Sequence, residues 1–96
     1  MPAMHFLVRW PDGSETECYS PSLVIKDYFV PGTAYEVDDF MSRVRIALEI
    51  ASERVRLKFG FACSRAADQL EILEARGALH TNEPGRVTVV SFSDAP

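Results

Sequence analysis

One stretch constrains this chain more than any other. From Val37 to Gly60 it reads VDDFMSRVRIALEIASERVRLKFG. At 100° per residue, Phe40, Met41, Val44, Ala47, Leu48, Ala51, Val55 and Phe59 fall on one face. Recurrence at three and four residues marks an amphipathic helix. Asp38 and Asp39 stand at its start, where they can cap free N–H groups and meet the positive end of the dipole. Arg54, Arg56 and Lys58 fill the last turn, where positive charge is favoured. Gly60 follows at the place where a left-handed residue ends a helix. Such a helix is about 30 Å long at about 1.5 Å per residue. It should cross a domain of this size from side to side. The spacing therefore predicts one rod, with strands and shorter helices packed on it.

A second stripe lies well away from the first face. Ile46, Ile50 and Leu57 share it. A helix with a single core face carries polar residues there. These three are the interface candidates, covered by a second element or by a second copy of the chain. A small domain gains stability by association, so a homodimer is the expected assembly.

Ninety-six residues make one domain, residues 1–96, and 47% apolar content is enough for a globular core. The net charge of −4 argues against nucleic acid, which calls for a basic face. Arg43, Arg45, Arg54, Arg56 and Lys58 do crowd the long helix, but Glu49 and Glu53 interrupt them. No apolar run approaches the ~20 residues that span a bilayer, so no membrane association is expected. The N-terminus lacks the charged and apolar regions of a signal peptide. The expected location is cytoplasmic, with Cys18 and Cys63 as reduced thiols.

Ala3 to Trp10 alternates. Met4, Phe6, Val8 and Trp10 point one way, and His5, Leu7 and Arg9 the other, as in a half-buried strand. Pro11-Asp12-Gly13 is a turn, with Gly13 supplying positive φ. A three-residue loop pairs Trp10 with Ser14, Val8 with Thr16 and Phe6 with Cys18, and sets Arg9 opposite Glu15. Other registers put Glu15 and Glu17 on the apolar face. Ser20-Pro21 suits the start of a short helix over Leu23–Phe29, with a strand as the alternative. Pro31-Gly32 is a turn, and Tyr35 to Val37 leads extended into the long helix. Arg65 to about Leu79 is a helix weakened near its end by Gly77. His80 to Gly85 is a polar loop, Arg86 to Phe92 a strand well covered on both faces, and Ser93 to Pro96 a loose tail. The expected class is α+β, in the order β-β-α-α-α-β. A three-stranded sheet, the N-terminal hairpin plus the C-terminal strand beside the first, carries the helices on one face.

Cys63 is the one candidate for chemistry. It sits at a helix start, where N–H groups favour a thiolate, and Arg65 is two residues on. A cysteine enzyme also needs a base, and nothing in the spacing brings His5 or His80 to it. There is no C-x-x-C and no paired His, so no metal is expected, and no Gly-rich phosphate loop or other cofactor signature occurs. Tyr19, Ser20, Ser22, Lys26, Asp27 and Tyr28 gather polar and aromatic groups on one short segment, a candidate binding surface.

RWPDGSETECYSPSLVIKDY, PGTAYEV, IASERVRLKFGFACSRA and RVTVVSF together resemble a small bacterial family of nitrogen-starvation response proteins. The resemblance covers nearly the whole chain. It implies a gene cluster holding a nitrilase, a radical-SAM protein, an acetyltransferase and a flavoprotein. It assigns no activity to any residue. The leading expectation is a non-catalytic accessory or interaction protein, a homodimer working with enzymes of that cluster. The alternatives are a small thiol-dependent enzyme or carrier using Cys63 and, behind it, a transcriptional regulator.

Overall fold

The protein is described by a computed structural model covering residues 3–61, 64–80 and 85–95. Strands β1 (Ala3–Arg9) and β2 (Glu15–Ser20) form a hairpin, followed by a short helix α1 (Ile25–Tyr28) and a two-residue strand β3 (Ala34–Tyr35). Helices α2 (Val37–Phe59) and α3 (Ser64–His80) come next, and β4 (Val87–Ala95) closes the chain. The class is α+β, as expected. The sheet has four antiparallel strands rather than three, in the order β2-β1-β4-β3. The extra strand is β3: Tyr35, taken for an extended lead into the helix, pairs with Val87. Two residues carry too little alternation to show as a strand in sequence.

The hairpin has the expected register, with Phe6 opposite Cys18, Val8 opposite Thr16 and Arg9 opposite Glu15. The Trp10 N–H donates to the Ser14 carbonyl at 2.8 Å, and Gly13 takes φ 88° in the turn. Register matters because it sends Met4, Phe6, Val8, Trp10 and Cys18 into the core together. The last strand lies beside the first, as expected, but it runs on to Ala95 instead of ending at Phe92. Its covering differs too. Val87 and Val89 are buried, whereas Ser91, Ser93 and Asp94 are exposed. Helices cover only one face of the sheet.

α1 is shorter than expected, and Ser20 does not cap it. Its N-cap is Val24, without a side-chain hydrogen bond. Ser20 and Ser22 build the preceding bend instead: Ser20 Oγ donates to the Ser22 carbonyl at 2.7 Å, and Ser22 Oγ accepts from the Val24 N–H at 3.3 Å.

α2 starts after Glu36 without a side-chain cap, so Asp38 and Asp39 act only through the dipole and, for Asp39, through a pair with Arg43 at 3.1 Å. Gly60 ends it at φ 86°, its N–H bonded to the Arg56 carbonyl. The expected core face is buried from Phe40 through Ala51. Beyond that it runs out: Val55 is half-buried and Phe59 is exposed. From Glu53 to Phe61 every residue but Val55 is exposed, so the last turns of α2 run past the core. No described helix is long and apolar enough to cross a membrane.

α3 runs on past Gly77. The helix continues to His80, and Gly77 is buried where an added Cβ would stand 2.7 Å from Met41 Sδ. A side chain there would have to displace Met41, whose flexible thioether fills the space.

Candidate functional site

The densest polar group lies where the hairpin turn meets the end of α3. The turn residue Asp12 accepts from the Ser14 N–H at 2.9 Å and from Ser14 Oγ at 2.5 Å, both on Oδ1. These two bonds, the side-chain one first, hold its carboxyl below the usual carboxylate range, and the charges of His80 and Arg76 add to the effect. Arg76 Nη2 donates to Ser14 Oγ at 2.6 Å. Four residues on, the same face of α3 presents His80 Nε2 at 4.0 Å from Asp12 Oδ2.

Both α3 residues also clasp Trp10. The imidazole stacks on the indole at 5.5 Å and 17°, and the Arg76 guanidinium stands 5.7 Å from its ring. Trp10 Nε1 donates to Thr16 Oγ1 at 3.0 Å, and Phe40 meets its edge at 5.7 Å.

This is the vocabulary of a serine–histidine–aspartate site without its grammar. Ser14 gives its proton to Asp12, not to an imidazole, and accepts from Arg76. A hydroxyl so placed is held, not activated. The arrangement latches the turn to the end of α3. His80, expected in a loop, is the last helical residue and only 4% exposed. Sequence reading missed the latch because Arg76 and His80 are far in sequence from Asp12. The available signal was their four-residue spacing on one helix face.

The expected binding surface is dispersed. Ser20 and Ser22 are buried, and Arg54 Nη1 donates to Ser22 Oγ at 3.0 Å. Tyr19 is half-buried: Arg65 lies 3.7 Å over its ring, and Gln69 Oε1 accepts from its backbone N–H at 2.9 Å. Tyr28 gives its carbonyl to Arg43 Nη1. Of the six, only Lys26 and Asp27 are exposed.

Cys63 lies outside the described residues, and its expected neighbour Arg65 is engaged with Tyr19. Cys18 is buried in the core, its thiol pushed up to about 12 by burial and then by the charge of Glu17. It stays a thiol at neutral pH, the less nucleophilic form. Among the described residues no three His, Cys, Asp or Glu gather as a metal site would require. A groove of about 350 Å³ between α2 and α3 is lined by Asp38, Met41, Ser42, Arg45, Glu74 and Gly77. The Arg45–Glu74 ion pair at 2.5 Å closes its charges on each other.

The uncovered apolar groups are elsewhere. Ile46 is 47% exposed, Ile50 half-buried and Leu57 72% exposed. Phe59 and Phe61 follow Leu57 at 54% and 68%. Three large apolar side chains thus stand in solvent within five residues, around the Gly60 turn. Arg56 there pairs with Glu53, and Lys58 lies 5.5 Å from the Phe59 ring.

No curated protein and no solved structure matches the chain. A family model described as nitrogen starvation-induced protein NitG matches residues 5–92, the whole span from β1 into β4. The chain belongs to the nitrogen starvation-induced protein NitG family.

Proposed function

We propose that this protein is a non-catalytic accessory protein of the nitrogen-starvation response, and that it docks a partner enzyme with the projecting end of α2. The observation that carries this reading is the exposure of Leu57, Phe59 and Phe61 together. Large apolar residues clustered in solvent mark interaction sites more often than isolated ones do. Lys58 stands beside them, 5.5 Å from the Phe59 ring, in a chain whose net charge is −4. The patch therefore fits an acidic surface with an apolar depression. Ile46 and Ile50 extend it along the free side of α2.

The internal polar groups support the same reading. Asp12, Ser14, Arg76 and His80 hold the fold together, and Arg45 is closed on Glu74. The partner class follows from the resemblance to proteins encoded beside a nitrilase, a radical-SAM protein, an acetyltransferase and a flavoprotein.

The test is co-elution of the purified protein with each of those four enzymes on a sizing column. The wild type should shift one of them, and Leu57→Glu with Phe61→Glu should abolish the shift while leaving the circular dichroism spectrum unchanged. Absence of a shift with all four overturns the proposal.

A further inference from the structure

The two edges of the sheet are finished differently. At the β2 edge, Gln69 reaches down from α3 to the Tyr19 N–H, and Glu15 and Glu17 charge the rest. Covering and charge are the usual protections of an edge. At the other edge, β3 covers only Val87 and Thr88 of β4, and the Gly32 N–H adds a bond to the Val89 carbonyl at 2.8 Å. β4 continues to Ala95.

The hydrogen-bond alternation fixes what the remainder presents. The Trp10–Ser14 bond makes Val8, Phe6 and Met4 direct their backbone groups to β2, so Leu7 and His5 direct theirs to β4. Their partners there are Ser91 and Ser93. Phe92 and Asp94 therefore point their N–H and C=O groups away from β1, on the side that β3 does not reach. Among the described residues no strand or loop bonds to them.

We infer that this edge joins two copies of the chain, β4 against β4, about a two-fold axis at Phe92. The pairing partner of an open edge is another extended strand, and a two-fold axis lets one surface complete itself. The register follows from the residues. Centred on Phe92, it sets the two Phe92 residues opposite each other, Ser91 opposite Ser93 of the second copy, and Val90 opposite Asp94 of the second copy. Phe92 is half-buried, 6.5 Å from Phe6, so the pair extends the core across the axis. The two Asp94 carboxylates stand roughly 13 Å apart along the strands, beyond a physiological screening length of about 8 Å.

Sliding one way sets Phe92 against Asp94, and further sets Asp94 against Asp94. Sliding the other way drives residues 93–95 of the incoming strand onto Val89, Thr88 and Val87, which Gly32 and β3 already hold, whereas centred on Phe92 only the terminal Ala95 reaches Val89. This surface is separate from the end of α2 and adds a subunit contact to the accessory role proposed above.

Sedimentation and cross-linking test it. The wild type should sediment as a dimer. Asp94→Pro removes an outward N–H that the β1 ladder does not use, so it should halve the sedimenting mass and leave the spectrum unchanged. Ser91 and Ser93 of the two copies form a non-hydrogen-bonded pair, with Cα atoms about 4.5 Å apart, within disulfide reach. A mixture of Ser91→Cys and Ser93→Cys chains should therefore give the mixed disulfide dimer in greater yield than either variant alone. A monomeric wild type overturns the inference, as does a dimer that survives Asp94→Pro without the mixed cross-link. Leu57→Glu should leave the dimer intact. A dimer that Leu57→Glu dissociates overturns the β4 contact, whereas loss of enzyme co-elution alone bears only on the docking role.

Discussion

The two halves of α2 obey one sequence pattern and meet two environments. Phe40, Met41, Val44, Ala47, Leu48 and Ala51 are buried against the rest of the fold, Met41 on the α3 side. Val55 and Phe59 continue the same stripe, but the stripe has outrun the sheet. Periodicity records how a helix turns; it does not record how far the surface beneath it extends. The first half is a core element. The second is an arm whose apolar residues Leu57 and Phe59 stand largely in solvent.

The widest expected gap compares the same deletion in each half. Phe40→Ala should cost about 3–5 kcal/mol, because Phe40 is fully buried against Trp10 and Phe29 and leaves a cavity. Phe59→Ala should change stability by under about 0.5 kcal/mol, as at an exposed site. Urea midpoints for the two variants measure the difference, and equal losses would break the comparison. Next comes the tie that holds the arm to the body. Arg54→Met removes the bond to Ser22 Oγ and should cost about 1 kcal/mol, read by the same midpoint.

Acid should loosen the latch between the hairpin turn and the end of α3 in turn. The Asp12 carboxyl has a folded pKa below its ordinary value of 3.8. Its contribution is therefore present above about pH 4, where the unfolded group is ionised, and is lost as pH falls through the lower folded value. Asp12→Asn should flatten the fall in stability below that pH, and a wild-type slope in the variant would remove the latch from the account. The smallest expected effect is that of Leu57→Glu, under about 0.5 kcal/mol by thermal melting, since Leu57 has little to lose in the isolated chain.

Much of this was legible in residues that act on near neighbours. The hairpin register followed from Pro11-Asp12-Gly13 together with the penalty for turning Glu15 and Glu17 inward. The Gly60 stop followed from its place after a basic turn. What stayed hidden depended on distant partners. β3 exists only because β4 lies beside it. Ser20 and Ser22 look like surface residues until Arg54 arrives from α2. His80 reads as a loop residue because its place in the helix is fixed by Trp10 and Asp12, far back in the chain.

Hydrogen exchange along α2 tests the account most directly, with the protein alone and with the enzyme it co-elutes with. The account predicts slow exchange from Phe40 to Ala51 in both states, and faster exchange from Val55 to Phe61 that slows only in the complex. Equal protection of both halves in the free protein, or a complex that leaves Val55 to Phe61 unchanged, would contradict it.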